Sequence, residues 1–297
     1  MPRESPDDVI TDDEVVGAVL GWYATQGRDL PWRDGRASAW GVLVSEVMLQ
    51  QTPVARVEPV WREWMDRWPS PAHLAAATQA DAVRAWGRLG YPRRAARLWE
   101  CARVLIERHG GHVPTTRDEL LALPGVGDYT AAAIVSFAHV GRAPVIDTNV
   151  KRVLARVWDG RELPLTAGVS AVERALAERI LPHNPARAAE WAVASMELGA
   201  IVCTARAPRC DACPITAHCA WRAAGYPASG LQKRPSQAWH GTDRQVRGSI
   251  LAMLRASHGP VPVTAPTGVP GEQFERALAS LLADGLVTAR GGGTYSL

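Results

Sequence analysis

Long apolar runs are missing from this chain of 297 residues, although 47% of its residues are hydrophobic. No stretch approaches the roughly 18 consecutive apolar residues that a membrane-spanning helix requires. The first 14 residues are acidic and lack the apolar segment of a secretory signal. The sequence therefore predicts a globular protein without membrane association, located in the cytoplasm. Its length allows two or three compact units.

Lysine is nearly absent, since only Lys151 and Lys233 occur. The net charge is only +3, but residues 1–14 hold six acidic residues and one arginine. The remaining chain has 32 Lys and Arg against 24 Asp and Glu, a net charge of +8. Guanidinium groups bind phosphate in a bidentate manner, so this composition suits a nucleic-acid partner. An arginine-rich composition without functional meaning explains it equally well.

Period-two alternation, the mark of half-buried strands, is almost absent before residue 240, and the pattern predicts an all-α protein. A capping box at Thr11–Glu14 starts a helix that ends near Gly27. Further helices are predicted over 38–52, 54–67, 71–77, 79–88, 92–109, 116–122, 128–139, 149–157, 168–181 and 186–202. A linker is predicted at 223–240. Helices near 243–257 and 271–284, with a hairpin around Gly291–Gly293, resemble a small winged-helix unit at 241–297.

Four of the five cysteines lie together as Cys203-x6-Cys210-x2-Cys213-x5-Cys219. Disulfides are rare in cytoplasmic proteins, so four thiols this close predict a metal centre. Zinc and a [4Fe–4S] cluster are the two candidates, and zinc sites usually use two C-x2-C pairs. The loop between the first two cysteines carries Arg206 and Arg209, which we expect to contact DNA phosphates.

Glu46 lies within the apolar stretch VLVSEVMLQQT at 42–52. At helical spacing it shares a face with Val42, Leu43 and Leu49, so its carboxyl group is predicted to be buried. A single Glu in a helix is ordinarily solvated or paired with a cation. A buried carboxyl group instead favours its protonated form.

Two further segments contain residues with a predicted role in binding or catalysis. The turn in LPGVGDYT at 123–130 predicts a helix-hairpin-helix whose amide groups at Gly125, Val126 and Gly127 bind a phosphate. Asp147 directly precedes a helix, which predicts a capping role and an ionised carboxylate. Two acids with pKa values pushed apart suit general-acid chemistry beside a developing cation.

Six motifs together resemble one enzyme family. They are LPWR at 30–33, SEVMLQQT at 45–52, LPGVGDYTAAA at 123–133, VIDTNVKR at 145–152, MELGA at 196–200 and the four-cysteine array. In this order and spacing they resemble the MutY-type adenine DNA glycosylases over residues 15–222. The resemblance implies a two-lobed helix-hairpin-helix glycosylase core. One lobe is a six-helix barrel at 31–143, and the other comprises 1–30 and 144–222 with a [4Fe–4S] cluster rather than zinc.

The resemblance also implies roles for individual residues. Glu46 protonates the adenine at N7, Asp147 stabilises the oxocarbenium-like sugar, and Tyr129 and Asn149 support them. The adenine pocket corresponds to Arg28, Leu30, Trp32, Arg33, Leu49 and Glu197. DNA contacts correspond to Gln50, Gln51, Thr52 and Leu89, together with the hairpin and the two arginines of the cysteine loop. The implied ligands of the cluster are the four clustered cysteines.

The implied activity is removal of adenine paired with 8-oxoguanine or guanine in double-stranded DNA, by a monomeric enzyme associated with the nucleoid. In the related endonuclease III branch, a lysine at the position of Tyr129 cleaves the strand, so the tyrosine implies a monofunctional enzyme. A thymine–guanine mismatch glycosylase and a non-catalytic DNA-binding or redox-sensing protein are the alternatives. Glu46 and Glu197 argue against the first, and the set of four catalytic residues argues against the second.

One departure from the family concerns recognition of the base opposite adenine. The family has a second tyrosine after Tyr91, described as a wedge beside 8-oxoguanine, and this chain has Pro92 there. The wedge is therefore missing or supplied by another residue. The residues after the linker are also fewer than in the family's usual 8-oxoguanine-reading domain.

Overall fold

The computed structural model describes residues 11–33, 35–230 and 239–297. Within them, one three-stranded antiparallel sheet has the order β1–β3–β2, formed by β1 (Val261–Pro262), β2 (Thr288–Gly291) and β3 (Thr294–Ser296). The remaining regular structure is helical: α1 (Asp12–Gln26), α2 (Ala39–Leu49), α3 (Val54–Arg67), α4 (Pro71–Ala76), α5 (Gln79–Trp86), α6 (Arg93–His109), α7 (Arg117–Leu121), α8 (Asp128–Ala133), α9 (Thr148–Val157), α10 (Ala171–Ile180), α11 (Pro185–Ile201), α12 (Ala220–Ala223), α13 (Asp243–Arg255) and α14 (Gly271–Ala283). The predicted all-α class is confirmed. Residues 1–10 of the predicted first lobe and 231–238 of the predicted linker lie outside the described residues.

Helix starts coincide with side chains that cap them. The Thr11 hydroxyl accepts the Glu14 amide, and the Glu14 carboxylate accepts the Thr11 amide at 2.7 Å, so the predicted capping box is confirmed. Thr78 and Ser170 form the same arrangement at α5 and α10. Each cap satisfies amide groups that the helix leaves unpaired, which contributes about 1 kcal/mol.

The helix predicted over 128–139 is not uniform. α8 covers its first part and continues directly into a π-helical turn at Ile134–Ala138. Such turns add a residue to a helix and often occur at functional sites. Both parts belong to the helix that follows the predicted hairpin.

The chain divides into two compact units, and the division falls within α2. Unit 1 combines the described residues of 1–43, 115–121 and 126–232, and unit 2 those of 44–114, 122–125 and 233–297. The core of unit 1 lies among α1, α9, α10 and α11. It is built from aliphatic side chains such as Val16, Val153 and Leu198, with Trp191 beside them.

The core of unit 2 is rich in tryptophan. Trp64 packs edge-on against Trp68, with ring centroids 4.8 Å apart, and against Trp86 at 5.5 Å. These rings join α3 to α5, and α6 packs against α4 and α5. α13, α14 and the β2–β3 hairpin follow in the order predicted for 241–297, and β1, which was not predicted, lies between the two helices.

These units do not follow the predicted domain boundaries. The helix-hairpin-helix region from Val126 onward clusters with the cysteine-bearing residues, whereas the sequence grouped it with the barrel. The C-terminal residues cluster with 44–114, and the side chains of Arg84 of α5 and Arg93 of α6 contact them directly. The domain boundaries given from the sequence stay a prediction.

Candidate active site and cysteine centre

Asp147 is the N-cap of α9. Its Oδ1 accepts the backbone amides of Asn149 at 2.8 Å and Val150 at 2.7 Å, and Oδ2 accepts the side-chain amide of Asn149 at 2.7 Å. The predicted capping role is confirmed. Burial nevertheless raises the pKa of Asp147, and it outweighs these hydrogen bonds and the charge of Arg152, which act in the opposite direction. The helix start and the burial of Asp147 therefore act on its pKa in opposite directions, and its ionised state stays a prediction.

Asn149 is held in turn by Arg152, which lies one turn further along α9. Nη2 of Arg152 donates to Asn149 Oδ1 at 2.8 Å and to the Gly199 carbonyl at 2.6 Å. Its Nε donates to the Cys203 carbonyl at 2.7 Å. One buried guanidinium thus joins the partner of Asp147 to α11 and to the first cysteine of the array. Sequence reasoning missed Arg152, because a basic residue within VIDTNVKR gives no sign of its distant partners.

Tyr129 lies on α8 and is half-buried. Its hydroxyl donates to Sδ of Met196 at 3.9 Å, a weak contact. Met196 directly precedes Glu197 on α11, and both tyrosine and methionine border a small apolar cluster that contains Ala132 and Ala192. The aromatic ring therefore lies against the helix that carries Glu197.

Glu197 is fully buried and bound by two arginines. Arg28 donates to it through its backbone N at 3.2 Å, Nε at 2.5 Å and Nη2 at 2.8 Å, and Arg33 donates through Nη2 at 2.9 Å. Burial raises the pKa of Glu197, but the hydrogen bonds from Arg28 and the charge of Arg33 have a larger, opposite effect. The net result is a pKa lowered to about 2. Glu197 is therefore an ionised acceptor at neutral pH.

The segment that supplies these arginines also supplies two buried apolar side chains, Leu30 and Trp32. Nη1 of Arg33 is buried and has no hydrogen-bond partner among the described residues. A buried donor without an acceptor costs free energy unless a ligand or water satisfies it. Of the six residues predicted for the adenine pocket, five lie in unit 1, and the sixth, Leu49, lies at the end of α2 in unit 2.

Glu46 is buried, with 6% of its surface exposed, so the burial predicted for it is confirmed. The reason differs from the one that the sequence offered. α2 is not amphipathic, because every residue from 40 to 48 is buried. The carboxyl group therefore lies in the protein interior whichever face of the helix it occupies.

The end of α2 is held by Arg94 of α6. Nη1 of Arg94 donates to the carbonyls of Val47 at 2.8 Å, Met48 at 2.9 Å and Gln50 at 2.5 Å. A cation at the C-terminal end of a helix also interacts favourably with the helix dipole. Burial lowers the pKa of Arg94 to about 10, which still leaves it charged at neutral pH.

The same guanidinium binds the second segment predicted to contact DNA. Nη2 of Arg94 donates to Thr52 Oγ1 at 2.9 Å and to the Gly90 carbonyl at 3.1 Å. The Thr52 hydroxyl contacts the Leu89 carbonyl at 3.4 Å. Arg94 therefore ties residues 47–52 to residues 88–91, and sequence reasoning missed it.

Exposure separates the residues predicted to contact DNA in these segments. Thr52 and Leu89 are buried, at 6% and 4%, so their side chains pack in the protein interior, and their contact with DNA stays a prediction. Gln51 is exposed with φ of +57°, and Tyr91 is 48% exposed with φ of +49°. Positive φ is unusual for such residues and occurs often at functional sites. Tyr91, which is not among the residues predicted to contact DNA, therefore has an exposed aromatic ring in segment 88–91.

The predicted phosphate-binding hairpin has the geometry that its glycines allow. Gly125 has φ of +81°, and a Cβ atom there would lie 3.0 Å from Cβ of Arg97. Gly125 and Gly127 are exposed, and their amides donate to no acceptor within the described ranges. These amides are therefore available to an anion, while the Val126 side chain is buried.

The four clustered cysteines border one cavity of about 400 Å³, a volume that includes solvent at its mouth. Nη1 of Arg156 donates to Cys203 Sγ at 3.3 Å, and the Cys219 thiol donates to the Arg156 carbonyl at 3.5 Å. Burial and the charges of the other three thiols raise the pKa of Cys213 to about 11, although a backbone hydrogen bond with Ile215 acts in the opposite direction. Four thiolates in one cavity are therefore stable only around a cationic centre.

The two arginines between the first cysteines differ. Arg206 is exposed, as phosphate binding requires. Arg209 is also exposed, but its Nε donates to the Ile201 carbonyl at 3.1 Å, as does its Nη2. Arg209 thus caps the end of α11 and keeps only part of its guanidinium for a phosphate.

Comparison with known proteins identifies the family. The model for "HhH-GPD superfamily base excision DNA repair protein" matches residues 44–180, and that for "Iron-sulfur binding domain of endonuclease III" matches residues 203–219. The adenine DNA glycosylase of Mycobacterium tuberculosis is 49% identical over 304 residues, which cover 100% of this chain and 98% of that protein. This chain belongs to the adenine DNA glycosylase family.

Two further comparisons support the family and the fold, respectively. The human adenine DNA glycosylase is 44% identical over 211 residues, covering 68% of this glycosylase and 38% of the human protein. A solved structure described as a thermostable thymine-DNA glycosylase matches with a TM-score of 0.65 and 28% identity, covering 72% of this chain and 97% of that chain. The helix-hairpin-helix glycosylase fold predicted from the sequence is confirmed.

The glycosylase is thus a base-excision DNA repair enzyme with a [4Fe–4S] cluster as its cofactor, and the prediction of a cluster rather than zinc is confirmed. The matched iron–sulfur domain begins at Cys203 and ends at Cys219. Within the described residues, no helix has both the length and the apolar character needed to cross a membrane.

Gly199 of the MELGA motif allows α11 to approach the start of α9. A Cβ atom there would lie 2.8 Å from both Cβ and the carbonyl oxygen of Asn149. We expect Gly199→Ala to lower the free energy of unfolding by about 1–3 kcal/mol, the usual cost of overpacking. The measurement is denaturant unfolding of the cluster-loaded glycosylase.

Gly21→Ala is the matched control for this variant, because Gly21 also lies within a helix and a Cβ atom there meets nothing within 4 Å. It is expected to be neutral or to stabilise by about 0.5–1 kcal/mol, since alanine favours helix over glycine. Equal stability of the two variants would show that the close approach at Asn149 is not tight.

Proposed function

We propose that this glycosylase removes adenine paired with 8-oxoguanine or guanine in double-stranded DNA, and that it leaves an abasic site without cutting the strand. The observation that carries this proposal is the buried carboxyl group of Glu46 on α2. A buried acid retains its proton to higher pH than a solvated one. Such a group can protonate a purine nitrogen near neutral pH.

The reaction begins with extrusion of the base, since its glycosidic bond is not accessible within the stacked duplex. Glu46 then donates a proton to N7 of adenine. The bond between the sugar C1′ and N9 breaks, and its electron pair leaves with the neutral base. Positive charge develops on the sugar, and a water molecule adds to C1′ and loses a proton to give the abasic site.

Asp147 and its hydrogen-bond partners stabilise the sugar cation. The carboxylate is held by two backbone amides and by Asn149, so it needs no reorganisation when the charge develops. The same burial that raises the pKa of Asp147 also lowers the local dielectric constant, so the ionised carboxylate attracts an adjacent cation more strongly than it would in water. Tyr129 supports these groups from α8.

We assign adenine binding to the arginine–Glu197 group. The ionised Glu197 orients Arg28 and Arg33, and the unpaired Nη1 of Arg33 can donate to a ring nitrogen of the base. Leu30, Trp32 and Leu49 supply apolar surface for the purine. The base opposite adenine is contacted by the exposed Gln51 and Tyr91, with Tyr91 serving as the wedge that Pro92 cannot supply.

We assign the cluster to Cys203, Cys210, Cys213 and Cys219. When bound, it cross-links residues 203–219 into a rigid loop. Arg156 supports this loop by donating to Cys203 Sγ and to the Thr204 carbonyl at 2.8 Å. The amides of the hairpin and the guanidinium of Arg206 hold the DNA backbone, and the enzyme acts as a monomer.

The absence of strand cleavage is supported by the environment of Lys151, one turn beyond Asp147. Its Nζ donates to the carbonyls of Thr166 at 2.8 Å and Gly168, and it pairs with Glu173 at 3.3 Å. A buried ammonium held by three acceptors is not available as an amine nucleophile. The residue at the position of the lyase lysine is Tyr129.

The proposal is tested with labelled duplexes that contain A opposite 8-oxoguanine, A opposite guanine, T opposite guanine, and A opposite T as a control. Strand breaks are compared with and without hot alkali, which cleaves abasic sites. We expect breaks in the first two duplexes only, and only after alkali. Breaks without alkali would show a lyase, and cleavage of the T–G duplex alone would support a thymine glycosylase instead.

A further inference from the structure

The C-terminal residues 239–297 are bound to α5 and α6 within unit 2. Three hydrogen bonds from side chains to backbone carbonyls connect them: Arg255 Nε to Val83 at 3.3 Å, Arg84 Nη2 to Ser257 at 3.2 Å, and Gln79 Nε2 to Gly285 at 2.8 Å. Donors come from both sides of this contact. The C-terminal residues are therefore not tethered only through the linker.

The central polar contact is formed by Asp284, which follows α14 and has a side chain that is only 5% exposed. Its Oδ1 accepts from Arg93, and its Oδ2 accepts from Arg247 of α13 at 2.5 Å. Arg247 also donates to Ser280. The nearly buried carboxylate of Asp284 therefore joins two guanidinium groups, that of Arg93 at the start of α6 and that of Arg247 on α13.

Arg93 lies next to the residue that binds both predicted DNA-contacting segments. It is the first residue of α6, directly after the exposed Tyr91 and the rigid Pro92. Arg94 is the next residue, and its guanidinium binds the carbonyls and hydroxyl that tie residues 47–52 to residues 88–91. Any displacement at the start of α6 is therefore transmitted to both segments.

The C-terminal residues are poorly suited to contact DNA themselves. Residues 239–297 contain five arginines and four acidic residues, so they are almost neutral. α14 exposes Glu272 and Glu275 near its start, and Arg276 beside them pairs with Asp243. Carboxylates on that face repel phosphates, whereas DNA-binding helices are typically basic.

We propose that residues 239–297 act as an internal brace. Through Asp284 they hold Arg93 and the start of α6, and α6 positions, through Arg94, residues 47–52 and 88–91. This inference rests on the proposed function, in which those two segments face the mismatch. Asp284 is a positioning residue that touches no DNA, and it contributes to the discrimination between 8-oxoguanine and guanine opposite adenine.

The first test measures amide hydrogen exchange in the cluster-loaded, DNA-free glycosylase. Asp284→Asn and Arg93→Gln are each expected to accelerate exchange in residues 47–52 and 88–94 by roughly three- to tenfold. Arg93→Gln breaks the contact with Asp284, and Asp284→Asn breaks the same contact and also weakens the pair with Arg247, so the double variant should exchange no faster than Asp284→Asn alone. Asp284→Glu keeps the charge and is expected to restore most of the protection.

Asp243→Asn is the matched control. Asp243 also lies in the C-terminal residues and pairs with Arg276 at 3.5 Å, but both side chains are exposed. This variant is expected to leave exchange in residues 47–52 and 88–94 unchanged. Iron content and the midpoint of thermal unfolding show whether each variant is folded.

The second test compares single-turnover excision of adenine opposite 8-oxoguanine and opposite guanine. Asp284→Asn and Arg93→Gln are expected to reduce the ratio of the two rates by about three- to tenfold, while Asp243→Asn leaves it unchanged. Unchanged exchange in both variants would overturn the brace, and changed exchange with an unchanged ratio would overturn its role in discrimination. If the unsubstituted chain excises no adenine, the proposed function fails, and the exchange experiment still decides whether the brace exists.

Discussion

Replacing Glu46 by glutamine is expected to slow adenine excision by about 10²–10⁴-fold, the usual contribution of a general acid. The glutamine amide has nearly the same shape as the carboxyl group but cannot give up a proton to N7. Leaving-group protonation is the step that this change removes, so affinity for the A–8-oxoguanine duplex should change little. The measurement is the single-turnover rate at saturating enzyme, together with the dissociation constant of the duplex.

The control for this experiment is Glu63→Gln, the same change at an exposed position on α3. It should leave the rate unchanged. A Glu46→Gln enzyme that keeps more than about a tenth of the rate would show that another group protonates the base. If the affinity falls in parallel with the rate, Glu46 acts in binding rather than in proton transfer.

Replacing Asp147 by asparagine is expected to slow excision by about 10²–10³-fold, the typical loss when one preorganised electrostatic partner is removed. Asparagine caps a helix about as well as aspartate, so the amides of Asn149 and Val150 keep their acceptor. The new side-chain amide faces that of Asn149, which should lower the free energy of unfolding by about 1–2 kcal/mol. The measurements are single-turnover excision and denaturant unfolding of the same preparation.

A stability control separates the loss of charge from the loss of folded enzyme. Thr78 is the N-cap of α5, and Thr78→Ala removes an acceptor for the Asp81 amide at a cost of about 1 kcal/mol. This variant should be destabilised to a similar degree and yet excise adenine at the normal rate. If both variants lose activity equally, the effect of Asp147→Asn lies in stability, and the electrostatic role is wrong.

Residues whose role depends on nearby sequence were predictable. The capping box at Thr11, the cap at Asp147 and most helix bounds follow from residues within one or two turns. The cysteine array is equally local, because its four thiols lie within 17 residues. Burial of Glu46 was predicted correctly but from a face argument, while the structure buries every residue of α2 from 40 to 48.

Distant packing changes the surroundings of residues whose local sequence predicts one behaviour. The helix start at Asp147 favours an ionised carboxylate, whereas burial raises its pKa. Leu89 and Thr52 match positions that contact DNA, and both side chains are buried in unit 2, so their contact with DNA stays a prediction. Arg209 lies in a basic loop, and the carbonyl of Ile201 at the end of α11 engages part of its guanidinium.

The sequence by itself determined the all-α class, the helix starts, the iron–sulfur ligand spacing and the family, because these depend on residue types at short, regular intervals. Only the tertiary structure decided that Arg28 pairs with Glu197, that Arg152 joins Asn149 to Gly199, and that Asp284 pairs with Arg93. The partners in these contacts lie up to 191 residues apart. A charged side chain finds its partner only after packing brings the two together, and local spacing carries no information about that distance.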